Sequence, residues 1–581
     1  MLALGNETKA RLKKPEGKSQ GVPFDEMESK DGIRPPYKNI SQWIEETGTE
    51  LLLRRREEAE AIFRKIGITF AVYGEGGDPE RLIPFDLVPR AFSSAEWKIL
   101  DTGIRQRARA LNAFLYDIYH RGEIIKAGII PPELVYENSA YLPEMIGFEP
   151  PGRVYSHIVG IDIVRTGPDK FQVLEDNCRT PSGVSYMLEN REIMGRMFPQ
   201  IFSGGPVRPV DHYPNELLRT LREVAPPAVS RDPTVVLLTP GSLNSAYYEH
   251  SFLADKVGIE LVEGRDLFCS GGRVWMRTTA GPTRVDVIYR RVDDEFIDPQ
   301  QFRHDSVLGA PGLLLAARLG NVTIANGVGN GVADDKLTYT YLPDLIRYYL
   351  GEEPILPNVD TWRLEDPGAL EEVLDRLDEL VVKPVDGSGG KGLVVGPDAS
   401  RQELATLRAQ LQADPRGWIA QPVVQLSTIP TLVDDGMRPR HADLRPFAVN
   451  DGDDVWVLPG GLTRVALPEG QLVVNSSQGG GSKDTWIVGD GPAAPVTATP
   501  AHRDAGQLVG EQASGPATGV LNILDLENEE AMAPIGGNGP TVEPAHVAPP
   551  LTSAPEDEDA DARLQQQQQQ QQQASDGGAP C

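Results

Sequence analysis

The segment LVVKPVDGSGGKGLVVG, residues 380–396, is the strongest single indicator of the fold. Its glycines Gly387, Gly389 and Gly392 match the pattern G-x-G-x-x-G. A dinucleotide-binding loop with this pattern leads from a strand into a helix, whereas here the strand-like residues LVVG follow the last glycine. The segment therefore predicts a hairpin of two strands joined by a glycine loop. Glycines let backbone N–H groups approach phosphate oxygens closely, so such a hairpin is suited to cover a nucleotide.

Two lysines accompany this glycine loop. Lys383 lies one strand upstream, where it would direct a cation at the same phosphates, and Lys391 lies inside the loop. The candidate nucleotide contacts of the loop are Asp386, Gly387, Ser388, Gly389, Gly390, Lys391 and Gly392. A Walker P-loop is excluded because a glycine, not serine or threonine, follows Lys391. A protein kinase is excluded because its lysine follows the glycine loop, while an ordinary tight hairpin without a ligand stays an alternative.

A second pattern lies some 200 residues earlier, in strand-like segments around a turn at residues 167–169. Asp162 and Glu175 lie 13 residues apart on these adjacent segments, and in a hairpin such residues can face one another. Asn177 shares the strand face of Glu175 because side chains alternate with a period of two, and Asp176 points to the other face. Two carboxylates and an amide oxygen are hard ligands that suit Mg²⁺ bridging nucleotide phosphates. A pair of solvated strand carboxylates is the alternative.

The composition describes a large chain with an acidic balance. Its 581 residues include 84 acidic and 56 basic ones, which gives a net charge of −28, and 40% of the residues are hydrophobic. This is enough apolar material for one large or two to three ordinary cores. The negative charge argues against nucleic acid as a partner. The start of the chain lacks the apolar stretch of a signal peptide and no apolar run reaches 18 residues, so we expect a cytoplasmic protein without a membrane partner.

The pattern of apolar residues predicts an α/β (α+β) fold up to about residue 489. Residues 41–66 and 95–121 are predicted as helices from apolar spacings of three, four and seven, and residues 234–330 as alternating strands and helices. Beyond residue 489 the chain has 14 acidic residues against two arginines, and nine consecutive glutamines at 565–573. Such a tail buries too little apolar surface to offset its ordering entropy. We expect it to be disordered and available to a protein partner.

Together these motifs resemble the ATP-grasp superfamily of carboxylate–amine ligases. In that family the lysine-bearing strand and the glycine loop precede the magnesium ligands, whereas here the carboxylate pattern comes first. The reversed order resembles the circularly permuted ATP-grasp proteins (type 2, glutathionylspermidine-synthetase-like), and the resemblance covers roughly residues 25–488. It implies ATP and Mg²⁺ as cofactors, with Asp162, Glu175 and Asn177 as the metal ligands.

The resemblance also implies roles for further residues of the nucleotide-binding part. Lys336, which follows Asp335, resembles the first nucleotide lysine of the family, with a surface lysine as the alternative. Gln421 lies on a segment that resembles the strand whose backbone faces adenine. Arg445 and Arg464 resemble arginines on two successive strands of the family. A planar guanidinium binds two oxygens of a transferring phosphoryl group at once, so these two arginines are the expected electrostatic catalysts.

The expected substrate contacts lie in three places. The candidates are Arg179, Ser182, Gly183, Arg290, Arg291 and Asn475. The first three belong to a loop that departs from the family's N-x-x-P-G pattern by inserted residues, and Asn475 belongs to a glycine-rich loop near the transferred group. The two middle arginines follow a strand, where they either read substrate charges or form an exposed, salt-bridged rim. The turn Thr239–Ser242 also follows a strand and offers N–H groups to an anion.

The resemblance implies a ligase that phosphorylates an acid with ATP and lets an amine attack the acyl phosphate. Small-molecule or peptide-like acids and amines fit this chemistry. A phosphotransferase or dikinase is one alternative, although the sequence shows no mobile histidine-bearing domain, and a nucleotide-sensing scaffold with a recruiting tail is another. The expected organisation is a loose N-terminus (1–35), a mostly helical region (36–150), the permuted part with the metal ligands (151–230), a preceding α/β domain (231–330), the nucleotide-binding part (331–488) and a disordered tail (489–581).

Overall fold

The computed structural model describes residues 22–67, 69–71, 80–204, 207–385, 392–472, 474, 480–489 and 558–575. Its N-terminal part contains β1 (Glu28–Ser29), β2 (Gly32–Ile33), α1 (Lys38–Thr47), α2 (Thr49–Ile66), β3 (Thr69–Ala71), β4 (Glu80–Leu82), β5 (Phe85–Ser93), α3 (Ser94–Ile118), α4 (Glu123–Lys126) and α5 (Glu133–Tyr136). The helix predicted over 41–66 is interrupted at Gly48, whose φ of +74° is incompatible with a continuous helix. The helix predicted over 95–121 is confirmed as α3, which begins with a capping box of Ser93 and Glu96.

The predicted hairpin around residues 167–169 is present and brings the two candidate carboxylates together. This region contains β6 (Ile158–Gly167), β7 (Lys170–Asn177), α6 (Val184–Met197) and α7 (Tyr213–Glu223). β6 and β7 are antiparallel, and their register sets Asp162 opposite Glu175. Asp169 occupies the turn with a φ of +53°, a left-handed conformation in which aspartate is enriched. The strand pair therefore confirms the juxtaposition expected from the spacing.

A second sheet confirms the alternating pattern predicted for residues 234–330. Its region contains β8 (Val235–Leu238), α8 (Tyr247–Val257), β9 (Glu260–Val262), β10 (Leu267–Ser270), β11 (Arg273–Met276), β12 (Thr283–Val285), β13 (Val287–Arg290), α9 (Asp294–Ile297), α10 (Leu313–Arg318) and β14 (Thr323–Ala325). β14, β13, β8 and β9 lie parallel in that order, and β10–β12 form a small antiparallel sheet. The carboxyl ends of β8 and β13 meet at one sheet edge, so the segments after Leu238 and Arg290 are neighbours.

The glycine segment belongs to a separate sheet of four strands. This region contains α11 (Lys336–Leu350), β15 (Trp362–Arg363), α12 (Pro367–Asp375), β16 (Leu380–Pro384), β17 (Val394–Val395), α13 (Arg401–Ala413) and β18 (Trp418–Pro422). The sheet order is β15, β18, β16, β17, and β16 pairs antiparallel with β17. The strand–loop–strand interpretation of residues 380–396 is therefore confirmed, while residues 386–391 lie outside the described residues.

The largest sheet unites three distant parts of the chain. Its C-terminal strands are β19 (Thr428–Val433), β20 (Gly436–Arg445), β21 (Phe447–Asn450), β22 (Val455–Val457), β23 (Leu462–Val465) and β24 (Gly481–Val488). The order is β22, β21, β6, β20, β23, β24, β5, with β19 on β20 and β7 on β6. Because β24 pairs parallel with β5, the region expected to be mostly helical contributes a strand to this sheet. The carboxylates of the β6–β7 hairpin thus lie beside the ends of β20 and β23.

The N-terminal segment is held in place at Glu26, although the sequence predicts a loose terminus up to residue 35. Glu26 is fully buried, and its carboxylate accepts hydrogen bonds from Arg90 of β5 at 2.5 and 3.1 Å. Its backbone N–H donates to the carbonyl of Thr428. Arg165 of β6 lies 3.6 Å from the same carboxylate. Burial opposes ionisation of Glu26, but the two arginines outweigh it and lower its pKa. This segment therefore ties β5, β6 and β19 together.

The C-terminal tail contains a helix where the sequence predicts disorder. α14 (Glu558–Ser575) includes all nine consecutive glutamines. The side chains of Gln567, Gln568 and Gln571 are buried, so contacts with the rest of the chain accompany the helix. The other residues of the tail beyond residue 489 lie outside the described residues. Neither α14 nor any other helix of the described residues is long and apolar enough to cross a lipid bilayer.

Candidate active site

Two carboxylates and two arginines meet where β6, β7, β20 and β23 lie side by side. Asp162 is buried, and its Oδ2 accepts hydrogen bonds from Nη2 of Arg445 and of Arg464, each at 2.7 Å. Nη2 of Arg445 also lies 3.7 Å from Oε1 of Glu175. Asp443 binds Arg464 from the other side, with Nε and Oδ1 3.0 Å apart. The four predicted residues therefore form one charged cluster, which Asp443 completes.

The charges of this cluster shift the pKa values of the two facing carboxylates in opposite directions. Burial disfavours ionisation of Asp162, but Arg445 and Arg464 outweigh it and hold the pKa of Asp162 far below its usual value. Burial and the negative charge of Asp162 raise the pKa of Glu175, although Lys336 and Arg445 act against this shift. Glu175 therefore carries the less compensated negative charge of the pair.

The two predicted nucleotide lysines act on the same cluster. Lys383 lies on β16, and Lys336 begins α11 with its backbone N–H 3.3 Å from the carbonyl of Val385. Burial lowers the pKa of Lys383 to about 8; the charges of Glu175 and Asp162 oppose this shift, and that of Lys336 adds to it. At neutral pH Lys383 still carries its proton. Two cations beside a carboxylate pair suit the binding of a polyphosphate.

The donor set around Glu175 suits a hard divalent cation. Glu175 faces Asp162 across the strand pair, and Asn177 follows two residues later on β7. The amide oxygen of Asn177 is the atom that can join them, whereas its buried Nδ2, which has no hydrogen-bond partner among the described residues, is a donor and does not bind a cation. Mg²⁺ binds through one or two carboxylates and completes its coordination shell with water and phosphate oxygens. The side-chain oxygens of these residues therefore fit Mg²⁺. The described residues contain no group of three or more histidine, cysteine, aspartate or glutamate side chains placed to hold a metal.

Some of the predicted nucleotide residues on and near the sheet of β15–β18 belong to the described part of the chain. Gln421 lies on β18 opposite Val381, is buried, and donates from Nε2 to Oγ1 of Thr361 at 3.0 Å. Its side chain is therefore engaged within the protein. Gly392 has a φ of +73°, and a Cβ there would lie 3.2 Å from Cγ of Pro384, so the end of the loop favours glycine. The candidates outside the described residues, whose roles stay predictions, are Asp386, Gly387, Ser388, Gly389, Gly390, Lys391 and Asn475.

Glu249 of α8 holds the loop that carries predicted substrate residues. It is fully buried, accepts a hydrogen bond from the N–H of Gly183 at 2.7 Å and lies 3.2 Å from Nη2 of Arg291. The carbonyl of Ser182 accepts from Nη1 of Arg445 at 3.4 Å. The loop therefore adjoins the charged cluster directly.

Two further arginines position this loop. Nε of Arg179 lies 3.6 Å from Asp334 and 4.0 Å from Asp293, and the charge of Asp293 is the main cause that raises the pKa of Arg179. Nη1 of Arg291 donates to the carbonyl of Pro181 at 2.8 Å. Arg291 is buried, so the exposed rim considered from the sequence is wrong for it. Arg179 therefore anchors the beginning of the loop, and Arg291 holds its middle.

The guanidinium of Arg290 is hydrogen-bonded to the protein itself and is not available to a substrate. It is fully buried, and its guanidinium donates to the carbonyls of Asn326, Val292 and Gly327 at 2.7, 2.9 and 3.0 Å. It also lies 2.8 Å from a carboxylate oxygen of Asp294. These contacts use the donors of the guanidinium, of which there are five. For Arg290, therefore, neither alternative considered from the sequence holds: it is not free to contact a substrate, and it is not part of an exposed rim.

Three acidic residues of the site have no role predicted from the sequence. They are Glu249, Asp334 and Asp443. Asp334 accepts hydrogen bonds from two backbone N–H groups of the loop after β7, and burial raises its pKa to about 6. Two of them could have been found from the sequence, because Asp443 lies two residues before Arg445 and Asp334 lies two residues before Lys336, and both later residues are predicted site residues. No motif marks Glu249.

A family model and several relatives match this chain. The family model described as circularly permuted ATP-grasp type 2 matches residues 89–466. An uncharacterized protein of Mycobacterium tuberculosis is 54% identical over 466 residues, which cover 80% of this chain and 84% of that protein. An uncharacterized protein of Synechocystis is 52% identical over 458 residues, 78% of this chain and 94% of that protein. A protein of Frankia alni with the provisional name glutamate–cysteine ligase 2-3 is 42% identical over 471 residues, 81% of this chain and 54% of that protein.

A solved structure, a glutathione synthetase-like effector of Globodera pallida in its apo form, aligns with a TM-score of 0.46 and 12% identity over 76% of this chain and 98% of that one. The family match defines an ATP-grasp protein. Within that class the chain belongs to the circularly permuted ATP-grasp family, type 2. The family expected from the order of the motifs is therefore confirmed.

Proposed function

We propose that the protein is an ATP- and Mg²⁺-dependent carboxylate–amine ligase that activates its acid as an acyl phosphate. The observation that carries this proposal is the cluster in which Asp162 and Glu175 meet Arg445 and Arg464, with two lysine charges acting on the same groups. Such a cluster suits phosphoryl transfer, because positioned cations stabilise charge that spreads over several oxygens in the transition state. A scaffold that only binds a nucleotide needs no such pair of arginines.

The lysines and the metal ligands serve the nucleotide in this proposal. Lys336 and Lys383 neutralise the phosphates next to the adenosine, with the glycine hairpin as a lid. Glu175, Asp162 and Asn177 would hold the magnesium ion. When bound, the ion would supply positive charge to the phosphates of the nucleotide. These residues therefore orient the nucleotide so that its γ-phosphorus faces the acid.

The two arginines serve the transferred group. In the transition state the charge develops on the γ-phosphoryl oxygens, and the guanidinium groups of Arg445 and Arg464 place positive charge beside them. Both are held by carboxylates in advance, Arg445 by Asp162 and Arg464 by Asp162 and Asp443. Their orientation therefore costs no rearrangement at the moment of reaction.

The chemistry itself needs no protein nucleophile. A carboxylate oxygen of the acid attacks the γ-phosphorus, and ADP leaves with the bonding electrons. The amine then attacks the acyl carbon, phosphate leaves, and the amine nitrogen loses a proton to give the amide. Cys178 lies beside the site, but burial raises the pKa of its thiol well above the usual value, so it is not a thiolate at neutral pH.

The substrates are an acid and an amine, either small molecules or peptide-like. The name of the Frankia relative fits a pair of amino acids, but the match covers 54% of that protein, so we take from it only the acid and amine class. The net charge of −28 makes nucleic acid an unsuitable partner. Recruitment of a protein by the acidic tail and a cytoplasmic location stay predictions from the sequence.

Binding of Mg·ATP is expected to stabilise the full-length chain, and Lys383→Met is expected to remove this effect. A ligand at 100 times its dissociation constant stabilises the folded state by about 2.7 kcal/mol. Thermal unfolding with and without Mg·ATP measures it, and phosphate release with pairs of acids and amines then identifies substrates.

Lys98→Met is the matched control, because Lys98 is exposed on α3 away from the cluster. The control is expected to retain the full shift. Equal stabilisation of the Lys383→Met variant and the parent protein would contradict the nucleotide site. ATP binding without phosphate release from any acid and amine pair would favour the scaffold.

The affinity for Mg·ATP is expected to fall as the pH rises above 8. The pKa of Lys383 is lowered to about 8, so above that pH the free protein must take up a proton before the ammonium can contact phosphate. The dissociation constant then rises about tenfold per pH unit. Calorimetric titrations between pH 7 and 9.5 measure it. Lys383→Arg, whose side chain keeps its charge, should give a flat profile, and a flat profile of the parent protein would refute this role.

A further inference from the structure

A groove at the edge of the second sheet holds the glutamine tract of α14. The groove, which we call the carboxamide groove, is lined by residues 241–243, residue 291 and residues 305–307. Gln567, Gln568 and Gln571 enter it, and their exposed fractions are 2%, 4% and 1%. Glutamine is mostly an exposed residue in proteins. The burial of three glutamines on one face of a helix therefore marks a specific contact.

Gln567 is bound by one donor and one acceptor of the same backbone segment. Its Oε1 accepts a hydrogen bond from the N–H of Val307 at 2.7 Å, and its Nε2 donates to the carbonyl of Asp305. A carboxylate would place a second acceptor against that carbonyl, and an ammonium group would offer no acceptor to the N–H. This position is therefore selective for a carboxamide.

The other two glutamines meet further backbone groups. Oε1 of Gln568 accepts from the N–H of Leu243 at 3.3 Å, in the segment next to the turn considered for an anion. Nε2 of Gln571 donates to the carbonyl of Arg291 at 2.8 Å. Gly241 makes room for Gln568, since a Cβ there would lie 2.2 Å from Nε2. The groove thus offers two N–H donors and two carbonyl acceptors to three side chains.

One face of α14 carries all of these contacts. Leu564 packs against the apolar core of the second sheet, and Gln567, Gln568 and Gln571 follow at spacings of three, four and seven residues. The exposed glutamines of the other side are Gln565, Gln566 and Gln569. An isolated helix of 18 residues is marginal in water, so the groove contacts are what stabilise this one.

We propose that the carboxamide groove is a binding site for helix-borne glutamine side chains, separate from the nucleotide site, with residues 564–571 of this chain as its resident ligand. Backbone groups of the groove bind both polar atoms of the Gln567 carboxamide and one polar atom each of Gln568 and Gln571. It adjoins the loop of the charged cluster, because Arg291 binds Gln571 with its carbonyl and Pro181 with its guanidinium. The docking depends on these contacts alone and holds whether or not the chain is a ligase.

Hydrogen exchange of the full-length chain tests the proposal with two triple variants of equal charge. Gln567→Glu, Gln568→Glu and Gln571→Glu together replace the groove face by carboxylates. This variant should exchange about 100-fold faster than the parent at residues 564–571, since it loses the two hydrogen bonds that Gln567 and Gln571 donate, and a carboxylate left against a carbonyl costs about tenfold at each. The control combines Gln565→Glu, Gln566→Glu and Gln569→Glu on the exposed side, and it should exchange like the parent. Equal exchange of the two variants would overturn the proposal.

A peptide of residues 558–575, added to the full-length groove-face variant, tests the groove itself. Binding in trans should restore slow exchange at residues 241–243 and 305–307. The same peptide with glutamates at the three groove positions should leave exchange unchanged. Failure of the parental peptide to restore slow exchange, or equal effects of both peptides, would show that the groove does not recognise carboxamides.

Discussion

Replacing Glu175 by glutamine is expected to lower turnover about 100- to 1,000-fold while leaving the folded state at least as stable as before. The loss of turnover follows because Glu175 is a proposed metal ligand at the phosphoryl-transfer centre, and removal of one preorganised electrostatic group costs about that factor. The stability follows from the raised pKa of Glu175, whose ionised form is disfavoured by burial and by the charge of Asp162. A carboxyl group with a raised pKa destabilises the folded state above its unfolded pKa, and glutamine removes that charge.

Steady-state phosphate release and thermal unfolding measure these two effects separately. The double variant Asp162→Asn with Glu175→Gln should also abolish phosphate release, with Arg464 still paired to Asp443. Parental turnover of the Glu175→Gln variant would contradict its place in the centre. A clear loss of stability would show instead that the ionised carboxylate supports the fold.

Replacing the next residue, Asp176, by asparagine is expected to have the opposite signature, a loss of about 3–5 kcal/mol in the free energy of unfolding. Asp176 points to the other face of β7, where its oxygens accept from Nε and Nη2 of Arg107 at 2.9 and 2.6 Å. Both side chains are fully buried. Asparagine would leave Arg107 buried without a counter-charge, with only neutral oxygens as partners: the asparagine's own amide oxygen and those of Leu356 and Asn358.

Chemical unfolding followed by tryptophan fluorescence measures this loss. Asp169→Asn is the matched control, because Asp169 lies exposed in the turn of the same hairpin. A change at such a surface position stays within about 0.5 kcal/mol. Folded Asp176→Asn protein should keep near-parental turnover per molecule. Equal stability of the two variants would refute the structural role of the Asp176–Arg107 pair.

The parts of the site that the sequence predicts are those defined by local geometry. A hairpin with a short turn sets residues 13 apart opposite one another, which is how Asp162 and Glu175 meet. The alternation of side chains along a strand likewise separates Glu175 from Asp176. The glycine hairpin is also local, because strand-like residues flank the loop on both sides. The order of these motifs then predicts the permuted family.

The parts that the sequence does not predict depend on distant backbone groups. Arg290 is buried because carbonyls up to 37 residues away accept its donors, and nothing in its own segment shows them. The glutamine tract has no apolar stripe, so composition indicates disorder, yet Val307 offers Gln567 a backbone N–H from 260 residues away. Glu26 likewise pairs with Arg90 and Arg165, which lie on strands far from it along the chain.

The distance along the chain between Asp162 and Arg464 sets the timing of assembly during protein synthesis. These two residues are 302 positions apart and share a hydrogen bond. At about 5–20 residues per second, a ribosome takes about 15–60 s to pass from one to the other. Throughout that interval the β6–β7 hairpin exists without β20 and β23, and its edge is open to pairing with other chains. A nascent chain released before residue 445 therefore carries Asp162 and Glu175 without Arg445 and Arg464, and the charged cluster forms only after translation has passed residue 464.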